Sequence, residues 1–484
     1  MHESKVQTNI QDLDTKQLEA LGYTSKFDRS MSFWENFSLG FTYLSPVVGV
    51  YSVFAMALQT GGPAMFWNYF LIGLGQFFVC LVFGEVVSQY PISGGIYPWC
   101  LRLVGTKWAW MSAWVYAWAL FTTIAGVALG GAPFLSRLIG LNWSASFTIW
   151  IAVFMIIVST IMNLSGTRLL ARVAMIGFIC ELVGAILVGG YLLIFGRIQP
   201  ITILFDTFSF GDGFNYIPAF IASSLAAMFC YYGFEACGDV AEETPNASSA
   251  IPKSMRMTIY VGGGAATFVC LALLLSIPDL PKAISGEDAD PVTSTLQFAM
   301  GDLGYKLVIA VVMISFLSCL LSLQAAASRL IFSFARDGMI FGSNLFNSLS
   351  EKSKIPFNAL LISGLIPIFI ASIGHWLQDA VNTVISFASI GIYIAFQMVV
   401  IGSLYARYKG WKPNGSFVLG KWGMTINIIA LIYGLCAVLN MIWPRALDEP
   451  WFINYSMILT SGIVIMTGLL YLLLAKPHLN ISKR

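Results

Sequence analysis

Charge is what this sequence has least of. Asp, Glu, Lys and Arg together make up 10% of its 484 residues, and only three histidines are present. The chain is 57% hydrophobic with mean hydropathy +0.78, more apolar surface than a soluble protein of this length could hide. The formal net charge is only +2, which gives a nucleic-acid partner no electrostatic footing. The Walker pattern GxxxxGK[ST] is missing, so ATP is not expected as the direct energy source. HExxH is missing too, and none of His2, His375 and His478 falls at the centre of an apolar run. Neither a zinc-protease site nor a histidine proton relay is expected, and no metal or cofactor is called for. The segment "CGDV" (237–240) lacks the Gly-x-Gly-Asp form of an intramembrane protease. An embedded enzyme is therefore a remote alternative, and a channel lacks any repeated selectivity loop. The first 30 residues hold no apolar h-region, so a cleaved signal peptide is not expected. The eight cysteines lie in or beside apolar segments without metal-ligand spacing, and are expected to pack as small apolar side chains.

What the chain does have is long apolar runs. About twelve are long enough to cross a bilayer. They fall near 33–58, 64–89, 107–130, 145–164, 169–195, 214–240, 257–278, 306–331, 356–374, 381–405, 424–443 and 452–475. With both termini placed in the cytoplasm, 21 of the 26 Lys and Arg lie on the inner side. Only Arg137, Arg197, Lys282, Lys306 and Arg445 lie outside. That bias satisfies the positive-inside rule and favours this orientation in a cell membrane. The inner stretch 334–354 reads as an amphipathic helix on the membrane surface.

Two spans are interrupted. "SPVVGVYS" (45–52) puts Pro46 and Gly49 near the middle of the first, and "FCYYGFEACGDVAEE" (229–243) puts Gly233 near the middle of the sixth. Pro removes a helical donor and Gly weakens a helix. Breaks five helices apart, at corresponding positions of two halves, point to an inverted-repeat transporter with its site at the midplane.

The residues also carry a resemblance. "GYTSKFDRSMSFWENFSLGFTYLSPVVGVYS" (22–52), "GEVVSQYPISGGIYPW" (84–99), "YYGFEACGDVAEETPNASSAIPKSM" (231–255) and "AAASRLIFSFARDGMI" (325–340) resemble segments of the amino acid–polyamine–organocation transporters. Within them the chain is similar to the amino acid/choline branch, which includes GABA permeases. The resemblance spans essentially the whole chain and implies an all-α integral membrane fold of LeuT-like arrangement. Two interlocking five-helix repeats, 33–195 and 214–405, would form a core with broken helices one and six. Two additional helices would follow in 406–475, with cytoplasmic segments at 1–32 and 476–484. It implies a secondary transporter of a small amino acid or amine such as GABA, working by alternating access and coupled to a proton or to sodium. A choline- or polyamine-type organocation transporter and an amino acid exchanger are the alternatives. It further implies that a ligand carboxylate meets N–H groups of Val48, Gly49 and Val50. The ligand amine would meet carbonyls of Phe229, Cys230 and Tyr232 before Gly233, with Phe229 closing over it. Many relatives have a Gly-small-Gly run where this chain has Val48-Gly49-Val50, which leaves room for a ligand without a carboxylate.

Three carboxyl groups stand out inside the spans. Glu181, at the centre of span five, lies on a stripe of small residues (Ala174, Gly177, Gly184, Ala185) that should face the bundle. In some members of the resembled family the matching position holds a lysine proposed to act in proton coupling, so Glu181 is the first candidate here. Glu235 and Asp239 follow the sixth-span break and suit a latch or gate on the second half-helix. Glu35 and Glu85 fit interfacial ion pairs or gating. Asn163, Gln324 and Gln397 fit interhelical hydrogen bonds, and Tyr43, Tyr51, Trp114, Trp118, Tyr231 and Tyr232 offer aromatic faces to a cation.

Overall fold

The computed structural model describes residues 13–24, 26–140, 145–351, 353–374, 378–445 and 449–480, with backbone only at 145–146 and 378–386. His2 and His375 lie outside these. Among the described residues, ten helical stretches are long and apolar enough to cross a membrane. Shorter apolar helices at 213–229 and 357–373 complete the twelve expected spans.

The first span is two helices, α1 (Phe33–Leu44) and α2 (Pro46–Gly61). Ser32 starts α1 in a capping box with Glu35, each side chain accepting the other's backbone N–H. Glu35 is thus a cap. The second and third spans are α3 (Asn68–Gln89) and α5 (Thr106–Ile139), with the short α4 (Ile96–Leu103) between them. Then come α6 (Ala145–Leu164) and α7 (Thr167–Phe195).

The sixth span ends early, at Phe229 of α8 (Ile217–Phe229), and resumes as the single turn α9 (Ala236–Asp239). The next spans are α10 (Ala247–Met257), which runs through a π-helical turn into α11 (Gly263–Ser276), and α12 (Pro291–Arg336), kinked at Gly301. The last four are α13 (Phe357–Ile373), α14 (Gln378–Tyr408), α15 (Gly423–Ile442) and α16 (Ser456–Ala475).

Burial sorts these elements. The helix α7 turns Ile176, Ile179, Val183 and Leu187 outward and buries Ala174, Gly177, Glu181 and Ala185. Its small-residue stripe is what lets α12 approach: a Cβ on Gly177 would lie 2.5 Å from Ser318. The expected interhelical bonds are present at Asn163, which donates to the Leu321 carbonyl at 3.0 Å, and at Gln324, which donates to Thr160 at 2.9 Å, but not at Gln397, whose buried amide has no hydrogen-bond partner among the described residues. The surface helix expected over 334–354 is not formed. Among the described residues of that stretch, only Ser343–Phe346 is helical beyond Arg336, because Gly338 and Gly342 take positive φ and turn the chain. Most cysteines are buried, but Cys436 is exposed on α15 and Cys180 is half-buried.

Candidate functional site

The break in the first span is narrower than the sequence suggests. It is one residue, Ser45, at φ 44 and ψ 86. Pro46 occupies the first position of α2, where a missing N–H costs nothing. The Ser45 N–H closes α1 on the Phe41 carbonyl at 2.7 Å, and the Ser45 carbonyl accepts the Gly49 N–H at 2.8 Å. Gly49 and Val50 are therefore inside a regular helix rather than in an unwound stretch. The N–H groups left over at the start of α2 are those of Val47 and Val48. Val47 is already engaged, because Glu181 Oε1 accepts its N–H at 2.9 Å and the Ser45 hydroxyl at 2.8 Å. Glu181 is fully buried, and its Oε2 has no hydrogen-bond partner among the described residues.

The second break is longer. The carbonyls of Ala227 and Met228 accept the N–H groups of Cys230 and Tyr231, and Met228 also accepts the Tyr393 hydroxyl at 3.2 Å. Of the expected amine contacts, Phe229 is the last residue of α8, and Cys230 and Tyr232 lie beyond regular helix on the way to Gly233 at φ 112. A carboxyl group closes this break too: Glu235 Oε2 accepts the Gly233 N–H at 2.8 Å.

The two breaks meet. A Cβ on Gly49 would lie 2.9 Å from the Cys230 sulfur, and one on Gly233 would lie 2.6 Å from the Leu44 nitrogen. Each glycine seats a piece of the other broken helix. Around the crossing, Tyr43 meets Tyr232 edge to face at 6.2 Å between ring centroids, and Phe229 meets Tyr232 at 5.6 Å.

One turn beyond, the Tyr116 hydroxyl from α5 lies 3.3 Å from Glu235 and 3.2 Å from Asp239, bridging the two carboxyl groups. The Asp239 carbonyl accepts the N–H of Gly94 in the loop before α4 at 3.0 Å.

Among the described residues six carboxyl groups are fully buried: Glu85, Glu181, Glu235, Asp239, Glu242 and Glu243. They divide evenly. Glu85 pairs with Arg407, Glu242 with Arg336 and Glu243 with Arg329. Glu181, Glu235 and Asp239 touch no basic side chain among the described residues, and these are the three at the breaks. Burying an unpaired carboxylate is costly, so this division marks the breaks as chemically special. Residues 13–24 and 26–31 fold over the paired end: Met31 N–H donates to the Glu243 carbonyl at 3.0 Å, and the Tyr23 ring stacks 4.1 Å from the Arg336 guanidinium.

Tyr116, Arg329 and Arg336 were not among the residues expected from sequence. The arginines had a signal, since a seven-residue spacing puts both on one helical face, near two adjacent glutamates awaiting partners. Tyr116 had none. No cluster of His, Cys, Asp and Glu suited to a metal occurs among the described residues.

Comparison with known proteins follows the same outline. The family model described as amino acid permease matches residues 31–463. The amino-acid permease BAT1 of Arabidopsis thaliana is 23% identical, over 97% of this chain and 96% of its own. An uncharacterized amino-acid permease of Schizosaccharomyces pombe is 27% identical, over 89% of this chain and 80% of its own. A putative amino acid/polyamine transporter of Macrophomina phaseolina is 24% identical, over 81% of this chain and 90% of its own.

Proposed function

The chain belongs to the amino acid permease family, and from that premise we propose that it is a secondary active transporter of a small amino acid or amine. The ligand binds where the two broken helices cross, and alternating access carries it between the two membrane faces. The observation that carries this reading is the crossing itself. Two interrupted spans seat each other through Gly49 and Gly233, and each break holds a buried carboxyl group without a basic partner. Backbone carbonyls of Phe229, Cys230 and Tyr232 face the ammonium, and Phe229 covers the ligand. The remaining first-turn N–H, at Val48, with Gly49 and Val50 behind it, forms the other wall.

Coupling is assigned to Glu181, which can take up or release a proton and whose state governs the start of α2. Glu235 and Asp239, joined through Tyr116, act on the gate. The ion pairs Glu242–Arg336 and Glu243–Arg329 hold shut the end that the basic-residue bias puts in the cytoplasm of a cell membrane. They part when that end opens. In this reading 33–195 and 214–405 are inverted repeats, and the helices in 406–475 brace them. The name of one relative, an amino acid/polyamine transporter, fits an amine as readily as an amino acid.

The test is a screen in proteoliposomes. Labelled amino acids, GABA, choline and polyamines are offered with and without imposed pH and sodium gradients. Accumulation of at least one compound that collapses with the pH gradient supports the reading. No accumulation and no counterflow for the whole set overturns it.

A further inference from the structure

The start of α2 is a sixteen-residue helix's N-terminus, the place where an incoming anion is best held. In this chain the position is already filled. The anion there is the protein's own: Glu181 Oε1 accepts the Val47 N–H and the Ser45 hydroxyl. Its other oxygen is buried with no hydrogen-bond partner among the described residues. A ligand carboxylate would have to enter beside an existing carboxyl group, in a site with two more at Glu235 and Asp239 and no basic side chain in contact with any of them. A ligand cation meets the opposite situation.

At the start of α2 the carboxyl group placed to balance such a cation is Glu181, while Glu235 and Asp239 lie at the other break. Facing α7, α6 contains no ionisable residue and α11 contains only Cys270. From α12 comes Cys319, whose thiol donates to the Tyr43 carbonyl of α1 at 3.4 Å. The basic residues of α12 are Lys306, thirteen residues away from Cys319, Arg329, ten residues away and bound to Glu243, and Arg336, seventeen residues away and bound to Glu242. At about 1.5 Å per residue each is some 15 Å or more along the helix. The one ionisable residue of α2 is Tyr51, and α1 adds Tyr43 and the distant cap Glu35.

We infer that the transported ligand is an organic cation without a docking carboxylate, and that it exchanges against a proton held by Glu181. This rests on the transporter reading above. The exchange balances. The ligand's positive charge enters, the proton leaves the Glu181 carboxyl group for solution, and the charge of the site is unchanged. Proton and ligand are mutually exclusive at one carboxyl group, so neither crosses in company with the other. A zwitterionic ligand would bring no such release, since its carboxylate beside Glu181 favours the proton staying where it is.

Proton release on binding decides between them. Purified full-length protein in weakly buffered solution with a pH-indicator dye is titrated with pairs that differ in carrying a carboxylate: γ-aminobutyrate and propylamine, ornithine and putrescine, glycine betaine and choline. The expected result is that the member without a carboxylate binds about tenfold or more tightly in at least one pair, releasing up to one proton per ligand. Glu181→Gln should bind with little release, and Glu181→Asp should restore it, which separates titration at this carboxyl from damage to the fold. The inference is overturned if the carboxylate-bearing members bind as well or better, if binding takes up protons, or if release persists unchanged in a folded Glu181→Gln protein. Absence of binding and transport for every compound would instead remove the transporter reading, and this inference with it.

Discussion

The guanidinium of Arg329 grips the carboxylate of Glu243 with two parallel hydrogen bonds, Nε to Oε1 at 2.8 Å and a terminal nitrogen to Oε2 at 3.0 Å. Both side chains are buried and lie 86 residues apart in sequence. Thr167 at the start of α7 adds a third bond to the same carboxylate at 2.6 Å. Three spans are thus tied at one point. Removing one partner leaves a buried charge unmatched. Arg329→Met should lower stability by about 3–5 kcal/mol, and Arg329→Met with Glu243→Gln should recover most of it. The thermal midpoint of the detergent-solubilised protein measures both; equal midpoints for the single and double variants would show that the pair does not act as a unit.

Gly49→Val should abolish ligand binding while the protein still folds into its membrane-inserted form. The added carbons would enter the space of the Cys230 sulfur and backbone. A binding assay with whichever compound the transport screen identifies checks this, and wild-type affinity would displace the site from the crossing.

Phe229→Ala should weaken affinity and occlusion together. Its ring is half-buried and packs on Tyr232 at the crossing. Trapping of labelled ligand after rapid dilution is the measurement. An unchanged trapped fraction with unchanged affinity would return Phe229 to ordinary packing.

Glu181→Gln should abolish gradient-driven accumulation while binding or counterflow survives in part. The amide oxygen can still accept the Val47 N–H, so the start of α2 stays capped, but the side chain no longer titrates. Accumulation that ignores both the substitution and an imposed pH gradient would place coupling elsewhere.

Tyr116→Phe should slow transport more than it weakens binding. It removes the one hydroxyl shared by Glu235 and Asp239, a hydrogen-bonding loss of about 1.5–3 kcal/mol where a charged carboxylate is involved. Counterflow rates beside equilibrium affinities separate the two effects. Loss of affinity with an unchanged rate would make Tyr116 a site residue instead of a gate residue.

The spans were legible because hydropathy is a local property, and so was the sixth-span break, since Gly233 sits amid aromatic residues that resist a positive φ. The first break lies at one end of the stretch 45–52 that the sequence marks. Attention falls on Gly49, yet the turn is at Ser45 and Gly49 is helical, its role being to admit Cys230. Pro46 held the better clue, as a first helical residue. The pairing of carboxyl groups was not legible. Whether Glu243 meets an arginine depends on how α12 is rotated about its axis, and that is fixed by packing over the whole bundle. The same holds for Tyr116, one of 19 tyrosines, singled out only by where α5 points it.

The reciprocal seating at Gly49 and Gly233 has a kinematic meaning. Two hinges that each carry the other's knuckle cannot turn independently: tilting α8 away from α2 lifts Cys230 out of its notch, and tilting α9 away from α1 lifts Gly233 off Leu44. The four half-helices therefore form two levers on one fulcrum. A disulfide-length tether across either notch would be expected to arrest both ends of the pathway at once.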